Sequence, residues 1–271
     1  MQRIFLFCGL AMSIYKSSAQ ITFCTNKNYQ VLSFTVQTKA KLEADVADAF
    51  NNYSKDTSSA DALIWYGRRL AYLGKYDEAI VVFTKGIQLH PMDARMYRHR
   101  GHRYLTTRCM DKAIADFTKA AQLIKGKADE TEPDGMPNTQ NIPTSTLQSN
   151  IWYHLGLAYY LKGEFKKAEK AYQRCLKVSN NPDMYVATAN WYYITLRELK
   201  KEKKAEALLL TVNKDMKLIE NDGYLTILLL YKKQQNADEL YKTLTGNTHN
   251  LNNATLGFGL GNFFRLSGQT E

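Results

Sequence analysis

The sequence predicts an all-α protein, built as an α-solenoid of tandem helix-turn-helix repeats. The first observation is self-similarity within residues 60–124, where one pattern is written twice at an offset of 34 residues. The second is that the apolar residues of each copy follow helical spacing. The third is that 271 residues contain only five prolines and fifteen glycines, which argues against a disordered or fibrous chain. The recurring residues are Gly67, Ala79, Ile80, Phe83, Thr84, Lys85 and Leu89, which return as Gly101, Ala113, Ile114, Phe117, Thr118, Lys119 and Leu123.

Small and turn-forming residues of the first copy explain its two helices. Gly67 and Ala79 are small where the two helices must cross closely. Gly74 suits the left-handed residue that ends the first helix, because a side chain would clash there. Pro91 ends the second helix. The stripe predicted to be buried consists of Leu63, Tyr66, Leu70 and Leu73 in the first helix and Ala79, Ile80, Phe83 and Ile87 in the second.

With Tyr76 and Pro91 also in place, the pattern resembles the tetratricopeptide repeat. The resemblance implies units that stack into a solenoid, and roughly three or more must stack because one unit cannot bury its own apolar face. Residues 150–182 form the unit that matches best. Its matching residues are Trp152, Leu155, Gly156, Tyr159, Gly163, Phe165, Ala168, Tyr172 and Leu176. Three weaker units follow, and the last one is incomplete at Glu271.

The chain divides into five segments. They are a signal peptide (1–19), an N-terminal lead-in and helix (20–57), repeats one and two (58–124), an acidic, proline-containing loop (125–149), and repeat three with degenerate repeats four to six (150–271). Ser58 or Ser59 is predicted to cap the first repeat helix, and Thr144 or Ser145 the helix after the loop. A loop of this length is either a disordered tether or a functional flap. The apolar last helix predicts that the native product continues past Glu271.

The N-terminus has the pattern of a secretory signal peptide. Arg3 gives a basic start, residues 4–15 form an apolar run, and Ser17-Ser18-Ala19 is a small-residue site that predicts cleavage before Gln20. The alternative is a buried N-terminal helix, which would not need a cleavage-like end. No later stretch approaches the roughly 18 continuous apolar residues of a membrane span. The sequence therefore predicts an exported protein, periplasmic or secreted, with no membrane span after cleavage.

The net charge of +10 permits an anionic partner, but the basic residues alternate with acidic ones along predicted helices. No recognition-helix or aromatic RNA-platform motif is present, so nucleic acid is not an expected partner. The chain also shows no nucleophile with a base, metal cluster or phosphate loop. His99 and His102 are three apart on a helix, but no third ligand lies close in the sequence. We therefore predict a non-enzymatic protein with no cofactor and no metal.

The family resemblance also implies where a partner binds. In this family the first helices of successive repeats line a concave groove, which takes a protein or peptide segment. Family members that clamp a terminal carboxylate use asparagines, which this groove lacks at its centre. The groove residues implied here are Arg68, Arg95, Arg98, His102, Tyr153 and Tyr160.

The basic centre of this groove leads to three hypotheses about its ligand. The first is a preference for an acidic segment of a partner, because guanidinium groups suit carboxylates. The second is an internal ligand, the acidic segment 129–134 folded back on the site. The third is a basic face that is only solvated. Two rival functions remain beside groove binding: a structural subunit of an envelope complex that uses its convex face, and the accessory helical part of a longer enzyme.

Overall fold

The computed structural model describes residues 32–246 and 251–268, and twelve helices lie within these ranges. They are α1 (Val36–Lys55), α2 (Ala60–Tyr72), α3 (Tyr76–Leu89), α4 (Ala94–Thr106), α5 (Met110–Leu123), α6 (Leu147–Leu161), α7 (Phe165–Val178), α8 (Pro182–Glu198), α9 (Glu202–Leu210), α10 (Asp222–Tyr231), α11 (Ala237–Gly246) and α12 (Leu251–Leu266). The same ranges contain no strand, only one isolated bridge between Thr131 and Thr146. The prediction of an all-α solenoid is confirmed.

One turn geometry ends the first helix of each unit in the described part of the chain. A residue with positive φ stands two positions after the last helical residue in all six cases. These residues are Gly74 (83°), Arg108 (64°), Gly163 (74°), Lys200 (56°), Lys233 (60°) and Gly268 (74°). In repeat two, the amide of Cys109 donates to the carbonyl of Tyr104 at 2.7 Å, the bond that closes a left-handed helix end. The turn therefore persists where the sequence has Arg108 instead of glycine.

Close helix crossing explains the small residues of the pattern. A Cβ atom added to Gly67 would lie 2.5 Å from the ring of Phe83, and one added to Gly156 would lie 2.5 Å from the ring of Tyr172. Ala79 is fully buried in the same crossing. Besides packing on its neighbours in the chain, each first helix contacts the next first helix, so that α2, α4, α6, α8, α10 and α12 form one continuous inner row.

Helix caps agree with the sequence at one site and differ at another. Ser59 caps α2, because its hydroxyl accepts from the amide of Ala62. The prediction that Thr144 or Ser145 caps the helix after the loop is wrong. Thr146 caps α6 and forms a reciprocal box with Ser149. Thr144 and Ser145 form other hydrogen bonds. The helix therefore begins after Thr146, later than the sequence predicted.

The segment between α5 and α6, residues 125–146, is called the insert below. Hydrogen bonds hold it against the solenoid. Its amide at Glu132 donates to the carbonyl of Ser145 at 3.2 Å, and Leu147 donates to the carbonyl of Glu130 at 2.9 Å. The carboxylate of Asp129 accepts from the hydroxyl of Thr146 at 2.6 Å. Of the two sequence-based alternatives, the disordered tether is therefore wrong.

The predicted signal peptide lies outside the described residues, as does most of the lead-in that follows it. Within the described ranges, no helix combines the length and the hydropathy that a bilayer crossing needs. Cys109 is disulfide-bonded and buried, and Cys175 is a buried free thiol.

Candidate functional site

The insert crosses the inner row of helices over repeats one and two. Arg68 on α2 donates to the backbone carbonyl of Pro133 at 2.7 Å, and Arg69 donates to that of Gly135 at 2.8 Å. Gly135 is buried, and a Cβ atom there would lie 2.1 Å from the hydroxyl of Tyr72. An extended segment of the chain thus occupies the centre of the predicted groove.

A single carboxylate reaches the middle of this groove. The Nε atom of Arg98 lies 2.9 Å from Oε2 of Glu132, and both side chains are about nine-tenths buried. The N–H does not point at the oxygen, so the contact is an ion pair without a good hydrogen bond. Burial lowers the pKa of Arg98 and the charge of Glu132 opposes that shift. Asn150 donates to the same carboxylate at 3.2 Å.

Three histidines surround the ion pair, and their protonation follows from their partners. Arg98 donates to Nδ1 of His99 at 3.1 Å and lies 3.4 Å from Nδ1 of His102. A guanidinium has no acceptor atom, so both Nδ1 atoms are unprotonated and each Nε2 carries the proton. His154 instead donates from Nδ1 to the carbonyl of Asn150 at 2.7 Å. The rings of His99 and His102 are therefore neutral in this arrangement, and His154 carries a proton on Nδ1.

Electrostatics agree with neutral histidines. Burial first, and the nearby arginines second, hold the pKa of His99 and of His102 well below the usual value. The same causes lower the pKa of His154 to about 3. His102, a predicted groove residue, is therefore a neutral ring, and the positive charge of the site comes from its arginines.

Arg103 is the arginine with the fewest partners in the site. Burial lowers its pKa to about 10, and Arg98 and Arg68 add to the shift. Its guanidinium lies over the ring of Tyr76 at 5.7 Å. Among the described residues no carboxylate lies within 4 Å of it, and no acceptor receives a hydrogen bond from it. The basic cluster, as this set is called below, consists of Arg68, Arg98, His99, His102, Arg103, His154 and Glu132.

Arg95 does not join the basic cluster. Its guanidinium binds Asp93 through two nitrogens, with N–O distances of 2.7 to 3.1 Å, and binds Asp61 at 2.7 Å. These bonds outweigh burial and raise its pKa. It lines a second cavity of about 240 Å³ on the far side of Glu132. Of the four basic residues predicted to line the groove, Arg68, Arg98 and His102 belong to the basic cluster and Arg95 does not, while Arg103 is an addition.

The two predicted tyrosines lie further along the inner row, in an aromatic environment. Tyr153 shares a hydrogen bond with the hydroxyl of Tyr224 at 3.3 Å. Tyr160 meets the ring of Trp191 edge-on at 5.4 Å. The aromatic cluster, as it is called below, consists of Tyr153, Tyr160, Tyr172, Trp191, Tyr193, Tyr224 and Tyr231. It packs one helix against the next and does not contact the insert's carboxylate.

Sequence reasoning missed several members of the site. Arg103, His154 and Asn150 were not predicted, because each was assigned to no face of its helix. Glu132 was included only within an acidic segment. A helical wheel would have placed Arg103 on the same face as His99, four positions earlier. His154 directly follows Tyr153, a predicted groove residue. No group of three or more metal-ligating side chains is arranged for a metal ion in the described part of the chain.

Comparison with known proteins finds a known repeat in two parts of this chain. The model of the tetratricopeptide repeat matches residues 67–130 and 149–182. Human tetratricopeptide repeat protein 13 is 27% identical over 151 residues, which make up 56% of this chain and 14% of the human protein. The chain therefore spans a small part of that relative.

Solved structures with similar folds have low sequence identity. The MamA RS-1 ArsTM double mutant has a TM-score of 0.50 at 16% identity, over 73% of this chain and 91% of that one. YrrB, a TPR protein with an unusual peptide-binding site, has a TM-score of 0.48 at 14% identity, over 81% of this chain and 92% of its own. At 16% identity, the similarity to the MamA mutant concerns the fold alone.

Proposed function

The chain is a tetratricopeptide-repeat protein, and we propose that it is a non-catalytic scaffold whose inner groove binds an acidic, extended segment of a protein partner. Scaffolds of this repeat are commonly protein-binding. One contact carries the finer proposal: Glu132 of the insert lies on Arg98, in the centre of the groove. The insert is an extended acidic segment, so the chain itself illustrates how such a segment is held.

The chemistry of the contact explains the preference. Arg68 holds a backbone carbonyl, which any peptide offers, whereas Arg98 holds a carboxylate, which only an acidic residue offers. A buried guanidinium left without a counter-charge is costly, so a neutral segment would bind poorly. Removing one partner of a buried ion pair costs roughly 3 to 5 kcal/mol, because the other charge is left uncompensated. Specificity therefore resides in Arg98 and affinity is shared with the backbone contact.

A partner has to displace the insert before it binds. A segment tethered by short linkers competes at an effective concentration on the order of millimolar. Loss of the carboxylate of Glu132 weakens this internal competitor without changing the groove. The variant Glu132→Gln keeps the side-chain length and hydrogen-bonding capacity, so it isolates the charge.

The test is binding of an acidic peptide library to purified protein, measured by fluorescence anisotropy at two salt concentrations. Glu132→Gln is expected to bind acidic peptides more tightly than the wild type, and Arg98→Gln to lose binding. Arg174→Gln removes the same charge from an exposed position on α7 and is expected to change nothing. Equal affinities for acidic and neutral peptides in Glu132→Gln would contradict the proposal.

The same experiment separates groove binding from the rival use of the convex face. The outer helix α7 carries an exposed basic row, and no ion pair to these four residues occurs in the described part of the chain. The row consists of Lys166, Lys170, Arg174 and Lys177. If cross-links to a captured partner map to this row instead of the insert, the chain is a structural subunit.

We also propose that the mature chain begins at Gln20 and acts outside the cytoplasm, in the periplasm or as a secreted protein. The N-terminal pattern supports this, and so does the disulfide at Cys109, since disulfides persist mainly in oxidising compartments. Mass spectrometry of the native N-terminus tests the cleavage. An intact Met1 on protein from the cytoplasm, with Cys109 reduced, would contradict it.

A further inference from the structure

A cavity of about 200 Å³ lies between the insert and the inner helices α2, α4 and α6. At about 30 Å³ per water molecule, this space holds roughly six or seven waters or a small molecule of that size. Arg68, Arg98 and Arg103 line it, together with the three histidines of the basic cluster. A cavity walled by guanidinium groups is suited to an anion.

The charges around the cavity do not balance. Glu132 and Asp134 are the two carboxylates that line it. Glu132 pairs with Arg98, and Asp134 is exposed, with Arg68 as its nearest stabilising charge. Arg103 is left over: its five N–H donors have no acceptor among the described residues. Burial first, and the charges of Arg98 and Arg68 second, lower the pKa of this guanidinium to about 10.

Two further side chains with N–H donors line the same space. The Nε atom of Arg98 is fully buried and makes no hydrogen bond in the described structure. His102 accepts at Nδ1 and therefore carries its proton on Nε2, and its ring lines the cavity. A buried donor such as Nε of Arg98 ordinarily has a partner, so this exception needs an explanation. A bound oxyanion would supply an acceptor to each.

We propose that this cavity binds a small oxyanion of the phosphate or dicarboxylate class, with Arg103 as its main anchor. The planar fork of a guanidinium binds two oxygens of one phosphate or carboxylate group. Arg98 and His102 contribute donors from the neighbouring turn of α4. The site requires the insert in place, since Pro133 and Glu132 form its outer wall. It is therefore separate from peptide binding, which requires the insert to move.

Isothermal titration calorimetry at constant ionic strength tests the site, with inorganic phosphate, succinate and chloride as ligands. The full chain is expected to bind phosphate or succinate at one saturable site and to show no saturable binding of chloride. The oxyanion that binds more tightly shows whether the ligand is a phosphate or a dicarboxylate. Arg103→Gln is expected to weaken binding at least about tenfold, because it removes a charge-assisted contact. Arg174→Gln, the exposed charge-matched control, is expected to keep the wild-type affinity.

Two results would overturn the site: no saturable binding by the wild type up to roughly 10 mM, or an unchanged affinity in Arg103→Gln. If Arg103→Gln does not fold, Arg103→Lys takes its place, because lysine keeps the charge but lacks the planar guanidinium. Unchanged affinity in Arg103→Lys would count against binding through the guanidinium fork. The wild type gives a reading that needs no variant, since a ligand that binds only the folded state raises the melting temperature. Equal melting temperatures in phosphate, succinate and chloride would reject the proposal.

Discussion

The basic cluster and the aromatic cluster lie along the same inner row of one solenoid, where Tyr172 of the outer helix α7 packs against the second of them, and their side chains are stabilised in opposite ways. In the basic cluster, inner residues are arginines and histidines whose burial lowers their pKa values and whose groups are covered by the insert. In the aromatic cluster, the inner residues pack on each other; the rings of Tyr193 and Tyr231, for example, stack at 4.4 Å. Both clusters are built on the same arrangement of helices, so they differ in the interactions that stabilise their side chains. The aromatic cluster stabilises the fold, whereas the basic cluster is costly to bury and gains only from an anion.

The largest expected effect is in the aromatic cluster. Tyr172 is fully buried against Gly156, and Tyr172→Ala is expected to lower the free energy of unfolding by roughly 3 to 5 kcal/mol, as for other large aromatic truncations. Its hydroxyl is buried without a hydrogen-bond partner in the described structure. The matched control Tyr172→Phe is therefore expected to be neutral or slightly stabilising. Urea unfolding measures both, and a small loss in Tyr172→Ala would break the contrast between the clusters.

A buried carboxylate makes the next largest contribution, again in the second half of the chain. Asp183 is 1% exposed, and its oxygens accept from the amides of Ile219, Glu220 and Asn221 at 2.9 to 3.1 Å. It thereby holds the segment that leads into α10. Asp183→Ala leaves these amides without their acceptor and is expected to cost roughly 2 to 3 kcal/mol.

The exposed Asp215 provides the control for this prediction. Asp215→Ala removes the same charge from the segment between α9 and α10, and is expected to stay within about 0.5 kcal/mol of the wild type. Equal losses in Asp183→Ala and Asp215→Ala would mean that net charge, and not the amide contacts, stabilises this segment.

Acid should affect the basic cluster selectively. Its histidines have folded pKa values below the unfolded value of about 6.5, so the unfolded state binds more protons, and stability falls as the pH falls below about 6.5. The fall continues towards the folded pKa, which is about 3 for His154. Between pH 7 and pH 5 one such histidine is expected to cost about 2 kcal/mol.

His154→Gln removes one of these titrations. Urea unfolding at pH 7 and pH 5 is expected to show a smaller acid loss in this variant than in the wild type. The same acid loss in both proteins would show that His154 is not buried in its neutral form, and would weaken the electrostatic account of the basic cluster.

The smallest effect concerns the turn that both halves share. Arg108 adopts φ 64° where repeat one has glycine, a conformation that costs a non-glycine residue roughly 1 to 2 kcal/mol. Arg108→Gly relieves this strain but increases the entropy of the unfolded chain, so the expected net gain is about 0.5 to 1 kcal/mol. Thermal unfolding measures it, and a loss of stability would show that the arginine side chain compensates by its own contacts.

The sequence predicted the frame better than it predicted the site. Gly67, Gly156 and Gly74 follow from helix crossing and turn geometry, which are local and recur with each unit. The path of the insert is not local: the bond from Arg68 to Pro133 joins residues 65 positions apart. No periodicity encodes such a contact. The acidic composition of residues 129–134 indicated what the insert could bind, but only the structure places Glu132 on Arg98.

The charge states of the site were also beyond pattern analysis. The sequence places His102 at a groove position but does not determine whether its ring is charged. Its neutrality depends on burial and on the charges of Arg103 and Arg98, which arise only when three helices and the insert meet. Arg95 shows the reverse case. It shares a helical face with Arg98, yet Asp93 and Asp61 hold it away from the cluster.

The central claim is that the basic cluster is a binding site for an acidic segment, with the insert as its internal occupant. The most direct test adds the insert back as a separate molecule. In the test protein, residues 129–135 are replaced by a glycine-serine linker of equal length, and a labelled peptide of residues 128–137 is titrated by fluorescence anisotropy. The matched peptide carries glutamine in place of Glu132.

The account predicts saturable binding of the native peptide to the linker variant, and binding at least about tenfold weaker for the glutamine peptide, since one charge-assisted contact is lost. It predicts little binding to the wild type, whose site is occupied. If the linker variant is folded and binds neither peptide, or binds both equally, the basic cluster is not a site for acidic segments.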